Sequence, residues 1–287
     1  MNKKNEKIPL SFEFFSPKTE AGFLNLEQAQ RELASQSWQP QYFSVTYGAG
    51  GTTQEGSLRI IENSINQFVP ISIVPHLTCI GAKKIEIAKL LDHFLSLGIK
   101  QLVILRGDLP FGTIGSLGEF KYASQLVSFI QTEYQNQFHI TVAAYPEMHP
   151  EAKNLIEDLN YFCEKVNAGA ASAITQFFFN LDSYEYFVSR CKEQGVTIPI
   201  IPGIMPINIL SQLQRFASQC GSEIPRWLIN ANAGMAEEQQ KQLGLELVIN
   251  LCHKLINIGA PGLHFYTLNR SQLTLQIINK IINKKSD

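Results

Sequence analysis

The sequence predicts an α/β protein folded as a single (β/α)8 TIM barrel. Eight short apolar or β-branched runs alternate with longer segments of helical periodicity. The first seven runs begin about 26 to 39 residues apart, which is the spacing of repeated βα units. In a chain of 287 residues, eight such units favour a closed barrel over the alternative, a doubly wound sheet. No linker or low-complexity stretch divides the chain, so residues 1–287 are expected to form one domain.

The predicted strands are runs rich in aliphatic, aromatic or β-branched side chains. They cover residues 11–15, 42–46, 72–77, 101–105, 140–145, 173–178, 199–202 and 263–266. In a barrel the reacting groups come from the carboxyl ends of the strands and from the loops that follow them. The polar residues at these ends are therefore the candidates for a functional site.

The helices are predicted from apolar residues spaced three and four positions apart. Residues 85–97 carry such a stripe and are followed by Gly98, which tolerates the positive φ of a helix end. Residues 151–168 show the same pattern, with Glu151 in the first turn and Lys165 near the last. The long gap before the last strand is expected to hold two helices, around residues 207–219 and 237–258.

The composition excludes several classes of function. The net charge is −1 and the pI is near 6.6, so no long-range attraction to nucleic acid or to a membrane surface is expected. No apolar window approaches the length of a membrane span, and the N-terminus does not read as a secretory signal. The five cysteines are dispersed and form no C-x-x-C pair, which argues against a zinc site or a disulfide framework and predicts a cytoplasmic location.

The first strand ends with a carboxyl group in the aromatic run SFEFF, residues 11–15. Apolar surroundings raise the pKa of a carboxyl group, which suits a general acid near neutral pH. Glu13 is therefore the candidate acid. The alternative is a structural glutamate paired with a lysine or an arginine across the barrel.

The next three strands end in smaller polar groups. Residues 46–53 form a loop of small residues whose amides could approach a phosphate closely, but they lack the G-x-G-x-x-G order of a dinucleotide fingerprint. His76 ends the third strand, where a hydrogen-bonded core histidine is the alternative to a base. Arg106, Gly107 and Asp108 end the fourth strand, where they could hold a polar ligand edge or form a structural salt bridge.

The remaining strand ends offer aromatic, amide and cationic side chains. Tyr145 and His149 precede a helix whose N-terminus could receive phosphate. Gln176 lies in a phenylalanine run, and an amide can both donate to and accept from a heterocycle. Arg270 suits a carboxylate or phosphate, while Asn269 or Ser271 beside it is also a candidate helix cap. Since no metal cluster or Ser-His-Asp set is indicated, a bound organic cofactor is expected to do the difficult chemistry.

Eight ordered blocks of residues carry a family resemblance. They run from Ser11 to Arg270 and read SFEFF, VTYGAGG, PHLTC, RGDLP, AAYPEMHPEAK, ITQFFF, PGIMP and HFYTLNR. In this order they resemble the catalytic domain of methylenetetrahydrofolate reductases. The resemblance implies a (β/α)8 barrel that binds FAD without a Rossmann motif. It also implies a ping-pong hydride relay, in which NADH or NADPH reduces FAD and the flavin then reduces 5,10-methylenetetrahydrofolate to 5-methyltetrahydrofolate.

The resemblance also implies roles for individual residues. Glu13 matches the proton donor to folate N10, and Asp108 matches the aspartate beside the flavin and the pterin. The residues that match substrate-binding positions are Glu13, Asp108, Gln176, Gln212, Phe216 and Arg270. Those that match cofactor-binding positions are Thr46, Tyr47, Ala49, His76, Arg106, Gly107, Asp108, Ala123, Tyr145, His149, Ala152, Asp158 and Lys165. No metal is implied, and a homo-oligomer is expected because family members are commonly oligomers.

Three positions depart from the family pattern. Ser16 stands where many members carry the first of two prolines, and residues 53–56 stand where many carry an arginine after the glycine-rich loop. Tyr161 stands where a bacterial relative carries a smaller polar residue. Two other functions remain as alternatives. A cofactor-free lyase or aldolase would need a Schiff-base lysine at a strand end, and none of the predicted strand ends offers one. A flavin- or folate-binding accessory subunit would bind flavin without reducing folate.

Overall fold

The computed structural model describes residues 8–47, 51–108, 118–207, 213–214, 217–218 and 221–283. Within these residues, parallel strands alternate with helices. The strands are β1 (Leu10–Phe14), β2 (Tyr42–Val45), β3 (Ser72–Thr78), β4 (Gln101–Leu105), β5 (His139–Ala144), β6 (Ser172–Thr175), β7 (Ile200–Ile201), β8 (Gly203–Ile204) and β9 (Leu263–Tyr266).

Short polar side chains begin several of the helices. The oxygens of Thr19, Asn154 and Asn180 accept backbone N–H groups that the first helical turn leaves free. In the described parts of the chain, no helix is long and apolar enough to cross a membrane. The helices are α1 (Glu20–Ala34), α2 (Gly51–Gln67), α3 (Lys84–Ser96), α4 (Ala123–Tyr134), α5 (Leu155–Asn167), α6 (Leu181–Glu193), α7 (Arg226–Asn232), α8 (Glu237–Asn257) and α9 (Gln272–Asn283).

The strands close into a barrel at Pro202. Their hydrogen-bonded order is β7-β6-β5-β4-β3-β2-β1-β9-β8, and β7 and β8 lie on either side of this proline in one segment. Ile200 and Ile201 pair with β6, whereas Gly203 and Ile204 pair with β9. Proline has no N–H to donate, so the segment changes partner at this residue. The predicted (β/α)8 barrel is confirmed, with its seventh strand divided in two.

Side-chain alternation along the strands separates an outer from an inner layer. Phe12 and Phe14 of β1 are fully buried in the main hydrophobic cluster, which joins the outside of the barrel to the helices. Ser11 and Glu13 alternate with them and therefore point into the barrel. A separate, smaller cluster fills part of the interior and contains Tyr42, Val74, Val103 and Ile174.

Two predicted boundaries are wrong in ways that affect the site. Helix α5 begins at Leu155, because Asn154 caps it by accepting the N–H of Glu157, so Glu151 precedes the helix. Strand β6 ends at Thr175, so the next residues lie in a loop. The helix predicted around residues 237–258 is confirmed as α8, whereas the one predicted around 207–219 lies largely outside the described residues.

Candidate active site

Glu13 lies near the carboxyl end of β1 with its side chain inside the barrel. Its Oε2 is 3.5 Å from Nε2 of His76 on β3 and 3.7 Å from Nε2 of His264 on β9. The side chain of Glu13 is 20% exposed, whereas both imidazoles are buried. The partners of Glu13 are therefore two imidazoles rather than the lysine or arginine of the structural alternative.

In this arrangement the pKa of Glu13 shifts in the direction opposite to the one expected from the sequence. Phe12 and Phe14 do not surround the carboxyl group, because they point to the other side of the strand. Burial raises the pKa of Glu13, but the approach of His264 and the charges of both imidazoles outweigh it, so the net pKa is lowered. Burial lowers the pKa of His76, against the charge of Glu13. A proton on any of these three groups therefore affects the other two.

His264 is a member of this group for which no role was predicted from the sequence. Its Nδ1 is 2.8 Å from Ser11 Oγ, and its ring stacks on Tyr42 with the centroids 5.9 Å apart. Burial raises the pKa of the Tyr42 hydroxyl to about 12, and the charge of Glu13 adds to the rise. The available signal was the alternation of polar and apolar residues along β9, which places His264 on the face that points into the barrel.

The loop after β9 is tied to the end of β1. Thr267 Oγ1 donates a hydrogen bond of 2.6 Å to the backbone carbonyl of Glu13. The Asn269 side chain accepts the N–H of Phe15 at 3.0 Å and donates to its carbonyl at 2.8 Å. Asn269 adopts φ +58, a left-handed conformation that asparagine tolerates. Asn269 therefore joins two loops rather than capping a helix, and the predicted Arg270 beside it is exposed.

Residues after β4 and β5 form a second cluster with helix α5. Arg106 donates hydrogen bonds of 2.6 and 2.5 Å to Glu151, and this pairing raises the pKa of Arg106 despite partial burial. The N–H of Glu151 donates to Nδ1 of His149, and the N–H of His149 donates to Asp158, each at 3.1 Å. Arg106 therefore forms the structural salt bridge, and its partner Glu151 precedes α5 instead of lying in the predicted helix.

Lys165 extends this second cluster from α5 toward β5. Its Nζ donates a hydrogen bond of 2.5 Å to the carbonyl of Ala143 and lies 5.9 Å from the centre of the Tyr145 ring. Burial lowers the pKa of Lys165 to about 8, partly offset by the charge of Asp158. Burial also raises the pKa of Asp158, against the N–H of His149 and the charge of Lys165. A cation, a carboxyl group and an aromatic face thus lie side by side.

The turn after β4 requires glycine at position 107. Gly107 adopts φ +84, and a Cβ there would lie 3.1 Å from Thr78 Cβ and 3.2 Å from Ile80 Cγ2. A side chain at this position would therefore crowd Thr78 and Ile80. Asp108 follows it and is exposed.

The other predicted residues lie around the same end of the barrel. Thr46 and Tyr47 follow β2 and are half-buried, Ala123 is the buried first residue of α4, and Ala152 precedes α5. Gln176 follows β6, where its Oε1 accepts the N–H of the next residue at 3.0 Å. The predictions that fall outside the described residues are Ala49, Gln212 and Phe216.

The donors in this region fit an organic cofactor with a flat ring and phosphate groups. Lys165 and Arg106 are cations, the ring of Tyr145 offers a stacking face, and Asp158 can accept hydrogen bonds from hydroxyl groups. Among the residues that the structure describes, no group of three or more His, Cys, Asp or Glu side chains could hold a metal ion.

The sequence matches known proteins over nearly its whole length. Residues 1–282 match the family model described as methylenetetrahydrofolate reductase. The chain is 39% identical over 279 residues to 5,10-methylenetetrahydrofolate reductase of Buchnera aphidicola subsp. Schizaphis graminum, covering 95% of this chain and 91% of the relative. It is 38% identical over 277 residues to the protein of the same name from Escherichia coli strain K12, covering 96% and 91%.

A solved structure has the same fold at low sequence identity. It is described as an uncharacterized protein from Clostridium thermocellum that binds two copies of 5-methyl-5,6,7,8-tetrahydrofolic acid. The TM-score is 0.67 at 18% identity, over 98% of this chain and 95% of that chain. At this identity the likeness supports the barrel fold alone.

Proposed function

Since this chain belongs to the methylenetetrahydrofolate reductase family, we propose that it reduces its folate with FAD, with NADH or NADPH and with Glu13 as general acid. The family reaction converts methylenetetrahydrofolate to methyltetrahydrofolate, which makes the chain an oxidoreductase of folate metabolism. The product is then 5-methyltetrahydrofolate, formed in a ping-pong sequence of two half-reactions.

The position of Glu13 inside the barrel is the observation that carries this function. Methylenetetrahydrofolate accepts a hydride only after its five-membered ring opens to an iminium ion, and opening requires a proton at N10. Glu13 is partly exposed near the carboxyl end of β1 and is enclosed on its inner side by two imidazoles. A carboxyl group in this position can give its proton to a ligand that lies across the barrel mouth.

Further residues at this end of the barrel would hold the folate. A carboxylate at Asp108 would stabilise the positive charge of the iminium ion. The amide of Gln176 can donate to and accept from the pterin, and the exposed Arg270 can bind a carboxylate of the folate. Gln212 and Phe216 complete the set by resemblance.

The second cluster would hold the cofactor. When bound, FAD would supply the hydride carrier, taking a hydride from the nicotinamide and giving it to the folate. Gly107 is assigned to this set by resemblance, Tyr145 offers a ring to stack on, and Lys165 can pair with a phosphate. Asp158 can accept a hydrogen bond from a ribose hydroxyl. The other positions assigned by resemblance are Thr46, Tyr47, Ala49, His76, Arg106, Asp108, Ala123, His149 and Ala152.

Anaerobic absorbance measurements in two steps test this function. NADH or NADPH is first added to the purified protein with FAD, and loss of the flavin band is followed. Methylenetetrahydrofolate is then added, and the band is expected to recover as the folate is reduced. The nicotinamide that bleaches the flavin faster at equal concentration is the preferred donor.

Other outcomes separate the alternatives. Flavin that is bound but is bleached by neither nicotinamide would support the accessory subunit. A preparation that does not bind FAD would contradict the cofactor assignment. It would leave the cofactor-free lyase or aldolase as the alternative function. Borohydride trapping of a Schiff base, followed by mass spectrometry, would test that chemistry directly. Sedimentation of the same preparation tests the predicted homo-oligomer.

A further inference from the structure

The polar side chains around Glu13 continue deeper into the barrel, which a carboxyl group acting alone would not require. Ser11 lies two residues earlier on the same strand, and its Oγ is 2.8 Å from Nδ1 of His264. Ser11 is paired in register with Tyr42 on one side and His264 on the other, so the three side chains lie at one level. Ser11 and His264 are 2% and 0% exposed. These polar groups are therefore enclosed below Glu13.

The two imidazoles beside Glu13 are held differently. His264 is fixed through Nδ1 by Ser11, whereas neither ring nitrogen of His76 has a hydrogen-bond partner among the described residues. In the tautomer whose Nδ1–H donates to Ser11, Nε2 of His264 is the nitrogen that gains and loses a proton. This Nε2 faces Glu13 at 3.7 Å, and a shift of roughly 0.8 Å would bring the two atoms to hydrogen-bond distance.

We propose that His264 stores the proton that Glu13 delivers to the folate. Protonated His264 first passes its Nε2 proton to the carboxylate of Glu13, and the O–H bond so formed then breaks as an N–H bond forms at N10. His264 is left neutral with Nδ1–H on Ser11, and the pair regains a proton from solvent through the partly exposed Glu13. No electrons are transferred in this step. The inference rests on the proposed folate reaction and makes His264 a positioning residue that acts through Glu13.

A pair that shares one proton retains it to a higher pH than either member does alone, because the proton can reside on two sites. The other titratable groups beside the pair are His76 from β3, Tyr42 from β2 and Tyr266 from β9, whose ring centroid is 5.4 Å from that of His264. Burial lowers the pKa of His76 and raises that of Tyr42 to about 12, so both favour their neutral forms near pH 7. The stored proton explains how Glu13 can act as an acid near neutral pH although its own pKa is lowered.

The pH profile of the folate half-reaction tests the proton store. Enzyme with reduced flavin is mixed anaerobically with methylenetetrahydrofolate over about pH 5 to 9, and wild type is compared with His264→Asn. Asparagine keeps a donor toward Ser11 but cannot hold a proton. The rate of the variant should begin to fall about one pH unit lower than the rate of wild type. The variant should therefore be about tenfold slower than wild type at neutral pH and little changed near pH 5.

His76→Asn is the matched control, because it removes the other imidazole at a similar distance from Glu13. Because the charge of His76 lowers the pKa of Glu13, its removal should not move the fall in rate to lower pH, whatever it does to the overall rate. Ser11→Ala should shift the profile in the same direction as His264→Asn but by less. This variant provides the test if His264→Asn does not fold. A wild-type profile in both Ser11→Ala and His264→Asn, or a slowing by one factor at every pH, would overturn the proposal.

A second readout needs no folate turnover. NMR of protein with 15N-labelled histidine follows the titration of His264 in wild type and in Glu13→Gln, with His264→Asn providing the assignment. Without the carboxylate, His264 should lose its proton at a lower pH. An unchanged titration would overturn the stored proton. A shifted titration in an enzyme that reduces no folate would support the shared proton and contradict the proposed function alone.

Discussion

The two faces of strand β1 differ in what they contact. The outward Phe12 is fully buried and packs on the rings of Trp38, Phe43 and Phe265, with centroids 5.6, 6.1 and 5.8 Å away. The inward Glu13 follows it directly and lies between two imidazoles. One face thus has apolar contacts on all sides, and the other holds ionisable groups in close proximity.

Within the five residues of β1, one face therefore contributes to stability and the other to chemistry. The outer face buries apolar area, which is the main favourable contribution to folding. The inner face buries polar atoms, some of which have no partner among the described residues, including Nε2 of His264 and Oγ of Ser44. Such atoms reduce stability and are retained where they serve a function. Substitutions on the two faces should therefore affect different measurements.

The largest effect is expected from breaking the outer face. Phe12→Ala removes a ring that contacts three other aromatic rings and should lower the free energy of unfolding by about 3–5 kcal/mol. Urea denaturation measures it. Phe15→Ala is the matched control, because this phenylalanine is 42% exposed and its removal should cost less than about 1 kcal/mol. Equal losses in the two variants would contradict the assignment of the faces.

A smaller effect is expected at the turn after β4. Gly107→Ala combines a left-handed backbone with contacts of 3.1 and 3.2 Å at Cβ and should lower the free energy of unfolding by about 1–3 kcal/mol. Gly259→Ala is the control, because Gly259 has φ +82 but no atom within 4 Å of the added Cβ. The excess loss at position 107 measures the crowding. If the added methyl group crowds the turn after β4, FAD should also bind more weakly to Gly107→Ala than to Gly259→Ala.

The joined loops after β1 and β9 should contribute less to the free energy of unfolding. Asn269→Ala removes both hydrogen bonds to the backbone of Phe15 and should lower the free energy of unfolding by about 1–2 kcal/mol. Because these bonds steady the end of β1, the folate half-reaction should slow while flavin reduction stays near the wild-type rate. Asn160→Ala, an exposed substitution on α5, serves as the control for both measurements. Unchanged stability would show that the loops hold together without Asn269.

The last effect is a pH dependence of stability and concerns the half-buried cation Lys165 on α5. The pKa of Lys165 is lowered from 10.5 to about 8 by burial, so burying its charge costs free energy below pH 8, where the folded and unfolded chains both hold the proton. Above pH 10.5 neither state is charged and this cost disappears. The stability of Lys165→Met relative to wild type should therefore be greatest below pH 8 and decline as the pH rises to 10.5.

Urea denaturation at several pH values measures this decline. The lost hydrogen bond to Ala143 shifts the comparison by the same amount at every pH at which Lys165 donates it, so the slope is the informative quantity. Lys241→Met is the control, since Lys241 is held by exposed ion pairs on α8. A relative stability of Lys165→Met that does not change with pH would contradict the lowered pKa.

Much of the fold could be predicted because it depends on local patterns. Apolar runs at βα spacing locate the strands, and the bounds of β4 and β9 agree with the prediction to the residue. The break at Pro202 could not be predicted, because it depends on which neighbour each half of the strand pairs with. Glu151 was placed in a helix because its charge suits a first turn, but Asn154 is the better cap and begins α5 later.

The candidate site could be predicted in its residues but not in its electrostatics. Glu13 was identified from its position in β1, yet the direction of its pKa was wrong because sequence neighbours point to opposite sides of a strand. The groups that set that pKa come from β3 and β9, 63 and 251 residues away along the chain. His264 in particular becomes visible only when strand register is known.

The most direct test of the inward Glu13 as proton donor is a single-turnover comparison of Glu13→Gln with wild type. NADH or NADPH should bleach the flavin of the variant at close to the wild-type rate, while reoxidation by methylenetetrahydrofolate should slow about 10²–10⁴-fold. Glu20→Gln, which removes an exposed ion pair with Arg59, should match wild type in both steps. Folate-driven reoxidation of Glu13→Gln at the wild-type rate would contradict the account.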